Sequence, residues 1–190
     1  MDLARAFLDG GARFLQIRAK QLPSSRLLEL CDDVVRIAAP YEAAVIVNDR
    51  ADLAYLSRAA GVHVGQDDLP PAAVRRLLGD TAIVGYSTHD VQQLETASPE
   101  PVTYVAVGPV FGTRTKETGY AAVGLDLVRT AHALARGRPV VAIGGITLKT
   151  APSVIAAGAA CVAVISDLLA GDPRARVAAY VAELARPQQL

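Results

Sequence analysis

Tryptophan is absent from the 190 residues, methionine occurs once, and aromatic residues make up 5% of the chain. A core without large aromatics has to be built from Ala, Val, Leu and Ile, within a hydrophobic fraction of 52%. Cysteine is nearly as scarce. Cys31 and Cys161 stand far apart inside apolar segments, which reads as two buried free thiols and not a disulfide, and neither has a partner at metal-ligand spacing. Neither sign of charge is in excess, since 19 basic residues balance 19 acidic ones. That excludes a polycationic nucleic-acid surface and an acidic tail, so any anion site must be local. No apolar run reaches membrane-spanning length, and the sequence from Met1 to Ala6 has no signal-peptide core. The expected setting is a reducing cytoplasm, with no membrane or nucleic-acid partner. A homo-oligomer stays open.

What the chain does have is alternation. Short apolar runs at Phe14–Arg18, Val45–Val47, Val62–Val64, Ile83–Ser87, Tyr104–Val107, Val140–Ile143 and Cys161–Ile165 read as strands. Helical spacing occupies the intervals: residues 2–9, 23–39, 52–60, 70–78, 90–97, 126–135, 149–157 and 173–184. Asp90 sits where an N-cap belongs, and Pro70-Pro71 suits a first helical turn. No linker or composition break divides the chain, so one domain spans 1–190. Strands alternating with helices predict an α/β fold with a parallel sheet. An open doubly wound sheet and a closed barrel both satisfy that pattern. Gly-x-Gly-x-x-Gly is missing after the first strand, which weighs against a dinucleotide fold. Polar groups follow nearly every strand, and Gly144-Gly145 and Ile165-Ser166 follow the last two, as in barrel phosphate sites. The expectation is therefore a TIM (βα)8-type barrel. Seven strands are readable and the chain opens on a helix, so the first strand would be lacking. Either the start lies too far downstream or a seam exposes unpaired strand edges.

The strand ends carry the chemistry. Val105 to Val107 run into Gly108-Pro109-Val110-Phe111, and Thr113, Arg114, Thr115 and Lys116 follow. Hydroxyls and cations of this kind suit phosphate oxygens, and Gly112 and Gly119 would allow the loop to move. Gln16, Arg18 and Lys20 occupy alternate positions, so all three can share one face. Asn48-Asp49 and Asp67-Asp68 follow consecutive strands, which lie about 4.8 Å apart. Asp49 and Asp68 can then share one Mg²⁺, which takes one or two carboxylates and substrate phosphate; as helix N-caps they would do something else. His63 reads as a barrel-interior histidine and His132 as a solvated one. His89 is a rim residue, either an acid/base or a neighbour of the Asp90 cap. A helix starting near Thr147 would aim free N–H groups after Gly144-Gly145 at the rim.

These motifs, taken in order, resemble the thiamine-phosphate synthase family. The residues are Gln16-x-Arg18-x-Lys20, Asn48-Asp49-Arg50, Gly61 to Asp68, Gly85 to His89, Gly108-Pro109-Val110-Phe111-x-Thr113-x-Thr115-Lys116, Ile143 to Ile146 and Val164-Ile165-Ser166. The resemblance implies a Mg²⁺-dependent transferase. It would couple 4-amino-2-methyl-5-hydroxymethylpyrimidine diphosphate with thiazole phosphate and release pyrophosphate. It implies Mg²⁺ on Asp49 and Asp68, and diphosphate contacts from Arg18, Lys20, Asn48, Ser87 and Lys116 with Gln16 alongside. It places the thiazole phosphate on Thr113, Thr115, Gly145, Ile165 and Ser166. Lys116, Ser87 and Arg18 would act on the reacting diphosphate. Two alternatives stay open: a thiazole tautomerase using His89, and a non-catalytic phosphate-binding protein.

Overall fold

The computed structural model describes residues 1–112 and 120–185. Among them, seven strands alternate with eight α-helices. The helices are α1 (Asp2–Asp9), α2 (Ser24–Ala38), α3 (Ala51–Leu56), α4 (Pro71–Leu78), α5 (Val91–Ala97), α6 (Gly124–Leu134), α7 (Ala151–Ala156) and α8 (Pro173–Leu184). The strands are β1 (Phe14–Ile17), β2 (Ala44–Asn48), β3 (Gly61–Val64), β4 (Ile83–Thr88), β5 (Tyr104–Val107), β6 (Val140–Ile143) and β7 (Cys161–Ala163). All pair in parallel in the order β1 to β7, so each strand neighbours its successor in sequence. That is the winding of a TIM-like barrel, curled here as a half-barrel with helices on its outer face.

Local chemistry accounts for several boundaries. Asp90 caps α5, its Oδ1 accepting from the Gln93 N–H at 2.8 Å. Asp172 caps α8 by accepting from the Arg174 and Ala175 N–H groups. Two helices stop short of the periodicity in the sequence. α3 ends at Leu56 because Arg58 takes a positive φ of 55° and the Ala59 N–H bonds back to the Ala54 carbonyl, a helix-terminating turn. α7 begins at Ala151 and not near Thr147. The Thr147 N–H is taken by Thr150 Oγ1, and the Leu148 N–H by Asp167. β7 is likewise shorter than expected, since a 3₁₀ turn (Ser166–Leu169) follows closely.

The two faces of the sheet differ in kind. Val45, Val47, Val62, Val64, Val84, Val105 and Val107 point to the helices and form the main core with Leu8, Leu27, Val74, Val128 and Val154. The concave face is narrower. Tyr104, Ala106 and Val141 are packed there with Ile83 and Ala163. α1 packs against α8, so closely that a Cβ on Gly10 would lie 2.6 Å from the Arg174 carbonyl oxygen. β1 and β7 each have one strand neighbour in the described sheet. This corrects the expectation of two buried thiols: Cys31 is buried in α2, but Cys161 is exposed on β7.

Candidate functional site

Strand register decides which side chains meet at the rim. Gln16 stands opposite Ile46, Asn48 opposite His63, His63 opposite Gly85, and Ser87 opposite Ala106. Side chains alternate along each strand, so Gln16, Asn48, His63 and Ser87 share the concave face. Beyond β1, Arg18 and Lys20 are both exposed, with Lys20 in the turn that follows.

The first constellation joins three loops. Lys20 Nζ lies 2.8 Å from Asp49 Oδ2. Asp49 sits at the end of β2 with a positive φ of 63°, a region that a non-glycine residue enters only under constraint. Its N–H donates to the His63 carbonyl at 2.8 Å, which fixes that conformation. Asp68, after β3, accepts from the Gly65 N–H through Oδ2 at 2.7 Å. Burial first, and then the facing Asp49 carboxylate, raise the Asp68 pKa; the Gly65 bond and Lys20 only partly offset this. Two carboxylates held together in this way with one ammonium beside them suit a divalent cation. Neither is a helix cap. The cap position of α3 is Arg50 and that of α4 is Pro70, without a side-chain cap bond in either. The described residues hold no group of three or more metal-ligating side chains, so a cation here would complete its shell with water and substrate oxygen. Arg50 is engaged elsewhere, with Asp52 and Ser24.

The second constellation lies deeper. Ser87 is buried, and His63 Nε2 is 2.7 Å from its Oγ. His63 Nδ1 is 2.8 Å from the Tyr104 hydroxyl. The barrel-interior reading of His63 is therefore correct, and both ring nitrogens are engaged. Gln66 Nε2 donates to the Ser87 carbonyl at 2.7 Å. His89 is half-buried on the rim, with Nδ1 against the Gly108 carbonyl and its ring stacked on Tyr120 at 3.9 Å between centroids. His132 is exposed on α6.

The third constellation is made of backbone. The Val110 N–H donates to the Ile143 carbonyl at 2.9 Å and the Phe111 N–H to the Gly144 carbonyl at 3.0 Å. The loops after β5 and β6 are thereby zipped together. Gly145 has φ of 65°, and a Cβ there would lie 2.6 Å from the Gly112 carbonyl oxygen. Ile165 and Ser166 are exposed beside this loop pair at the end of β7. The free N–H groups expected from a helix beginning near Thr147 are not available at 147 and 148, for the reason given above. Thr150 takes the first of these, and Asp167 the second: its Oδ2 accepts from the Leu148 N–H at 3.0 Å, its carboxylate takes Arg176 at 2.9 Å, and Tyr180 donates to it. Thr113, Thr115 and Lys116, and the expected moving loop between Gly112 and Gly119, lie outside the described residues. Tyr104, Asp167 and Tyr180 were not singled out from sequence. The one hint was Gly85 within a strand, since an interior glycine often marks a close approach.

Comparison with known proteins bears on the family and the fold. The family profile described as thiamine monophosphate synthase matches residues 1–168. The chain is 44% identical over 178 residues to the thiamine-phosphate synthase of Koribacter versatilis, covering 94% of this chain and 83% of that protein. It is 45% identical over 177 residues to that of Anaeromyxobacter dehalogenans, covering 92% and 78%. Among solved structures, the thiamine phosphate pyrophosphorylase of Pyrococcus furiosus superposes with a TM-score of 0.89 at 29% identity, covering 96% of this chain and 88% of that one. A 3-hexulose-6-phosphate synthase, at 19% identity and a TM-score of 0.69, shares the fold alone.

Proposed function

The chain belongs to the thiamine monophosphate synthase family, and on that premise we propose that it is a transferase making thiamine phosphate. It joins 4-amino-2-methyl-5-hydroxymethylpyrimidine diphosphate to thiazole phosphate. The bond from the pyrimidine methylene carbon to the diphosphate oxygen breaks, and the oxygen leaves with the electron pair. The thiazole nitrogen then bonds to the same carbon, so no protein nucleophile is required.

The observation that carries this reading is the convergence of Lys20, Asp49 and Asp68 from the ends of β1, β2 and β3. Asp49 and Asp68 would hold Mg²⁺, whose donor preferences two carboxylates and a phosphate satisfy. When bound there, the ion would supply Lewis-acid neutralisation of the departing diphosphate. Arg18 and Lys20 would counter the same charge, Asn48 and Ser87 would donate hydrogen bonds to it with Gln16 alongside, and the family resemblance assigns Lys116 to it as well. Such donors act most strongly where charge develops. Gly145, Ile165 and Ser166 would receive the thiazole phosphate, helped by the close backbone approach at Gly145, and the family resemblance assigns Thr113 and Thr115 to it as well.

The test is direct. Purified protein with both substrates and Mg²⁺ should release pyrophosphate and form thiamine phosphate in equal amounts, and chelation should stop both. Isomerisation of the thiazole without pyrophosphate release, or binding without turnover, would overturn the reading.

A further inference from the structure

Ser87 is held from behind by a pair of side chains that the coupling reaction does not itself require. We propose that His63 and Tyr104 are positioning residues. They fix the Ser87 hydroxyl as a one-way hydrogen-bond donor toward the diphosphate, through a His63 tautomer carrying its hydrogen on Nε2. The inference rests on the assignment of Ser87 to the diphosphate site made above.

The argument starts at Tyr104. It is 4% exposed, and burial, with a smaller contribution from Cys161, raises its pKa further above the ordinary phenol value. The phenol therefore keeps its hydrogen, and a buried hydroxyl hydrogen needs an acceptor. Among the described residues its partner is His63 Nδ1, at 2.8 Å. Nδ1 must then present its lone pair, which leaves the ring hydrogen on Nε2. An imidazolium would place two hydrogens, one from each side, on the Tyr104–His63 contact. Nε2 lies 2.7 Å from Ser87 Oγ, so it donates and Oγ accepts. The hydroxyl's own hydrogen has to point away from His63. The remaining direction that carries an acceptor is the rim, where the diphosphate oxygens would sit.

The packing preserves this order. The His63 and Tyr104 rings stack at 5.6 Å and 25°, and Phe14 meets Tyr104 edge-on at 5.8 Å. Gly85 lies across from both: a Cβ there would be 2.3 Å from the Tyr104 hydroxyl oxygen and 2.5 Å from His63 Nδ1. The missing side chain at 85 is what allows the two groups to meet. In an unpaired serine the hydroxyl rotates among wells, whereas here one rotor state is selected before substrate arrives.

Two measurements test this. The chain has three histidines, so ¹⁵N-histidine spectra of the full-length protein can be assigned by comparing wild type with His63→Gln. The expected His63 pattern is a pyridine-type Nδ1 and a pyrrole-type Nε2–H. A hydrogen on Nδ1, alone or together with Nε2, overturns the proposal. In kinetics, Tyr104→Phe should lower kcat roughly tenfold or more, the scale on which outer-shell partners act, with little change in KM. His63→Gln, which keeps a donor near Nε2, should retain more kcat than His63→Leu. In a Ser87→Ala background, Tyr104→Phe should cost nothing further. Independent, multiplying losses would mean that Tyr104 supports only the fold, and would overturn the relay. Should wild type release no pyrophosphate, the proposed function fails, while the spectra still decide the tautomer.

Discussion

Asp49 holds a strained backbone conformation while pairing with Lys20, and strain of that kind persists only where surrounding contacts impose it. The Lys20–Asp49 pair is half-exposed, so it contributes at most about 1 kcal/mol to stability. Its value lies in holding the carboxylate toward Asp68. Asp49→Asn should therefore leave the melting temperature close to wild type and remove Mg²⁺-dependent turnover. Thermal unfolding beside a Mg²⁺ titration of pyrophosphate release checks both halves, and unchanged metal dependence would exclude Asp49 as a ligand. Lys116 and Lys149 make a second residue-level contrast. Lys116→Ala should lower kcat by about 100- to 1000-fold, the scale of an interaction aimed at developing charge. Lys149→Ala removes the same charge from an exposed turn outside the proposed diphosphate site and should change kcat little. Equal small losses in the two variants would make Lys116 an ordinary surface charge.

Asp167 organises the rim at the level of elements. It follows Ser166 directly, and its carboxylate ties the loop after β6, through the Leu148 N–H, to α8 through Arg176 and Tyr180. The turns after β6 and β7, which would carry part of the thiazole phosphate site, are thereby set in one frame against α8. Asp167→Asn keeps the shape but loses the charge that Arg176 pairs with. It should destabilise the fold by about 1.5–3 kcal/mol, the range for hydrogen bonds to charged groups, and raise KM for thiazole phosphate more than KM for the pyrimidine substrate. Urea unfolding and steady-state kinetics read the two effects; equal changes in both KM values would make the clasp merely structural. Gly145→Ala belongs to the same scale. A Cβ there meets the Gly112 carbonyl oxygen and Phe111, at a φ that side chains rarely adopt. The loops after β5 and β6 should move apart and KM for thiazole phosphate should rise; an unchanged KM would place the phosphate elsewhere.

The clasp also gives the whole molecule a pH dependence. Burial opposes ionisation of Asp167, but the bonds from Tyr180, the Leu148 N–H and Arg176 outweigh it and lower its pKa in the folded state. A depressed folded value means that the stabilisation is present in full above the unfolded carboxylate pKa of about 3.9. It is lost as pH falls through the folded value. The stability gap between wild type and Asp167→Asn should thus be constant at neutral pH and shrink below about pH 4. Urea midpoints measured from pH 7 to pH 3 check this, and a gap that widens in acid would contradict it.

Much of this protein was already decided by patterns local in sequence. The alternation of apolar runs with helical spacing specified a parallel sheet, because a crossover helix must separate parallel neighbours. Asp90 announced its own cap. The ends of α3 and α7 were not legible, because a left-handed turn at Arg58 and bonds from Thr150 and Asp167 override the helical period. The thiol of Cys161 was misjudged because an apolar segment in an edge strand has no second strand to cover it. The pairings that give the site its chemistry were decided only in three dimensions. Lys20 meets Asp49, and His63 meets Ser87 and Tyr104 across separations of 24 and 41 residues. Periodicity assigns a side chain to a face, but which side chains on that face touch depends on the register and curl between strands. That is fixed by the packing of the whole sheet against its helices.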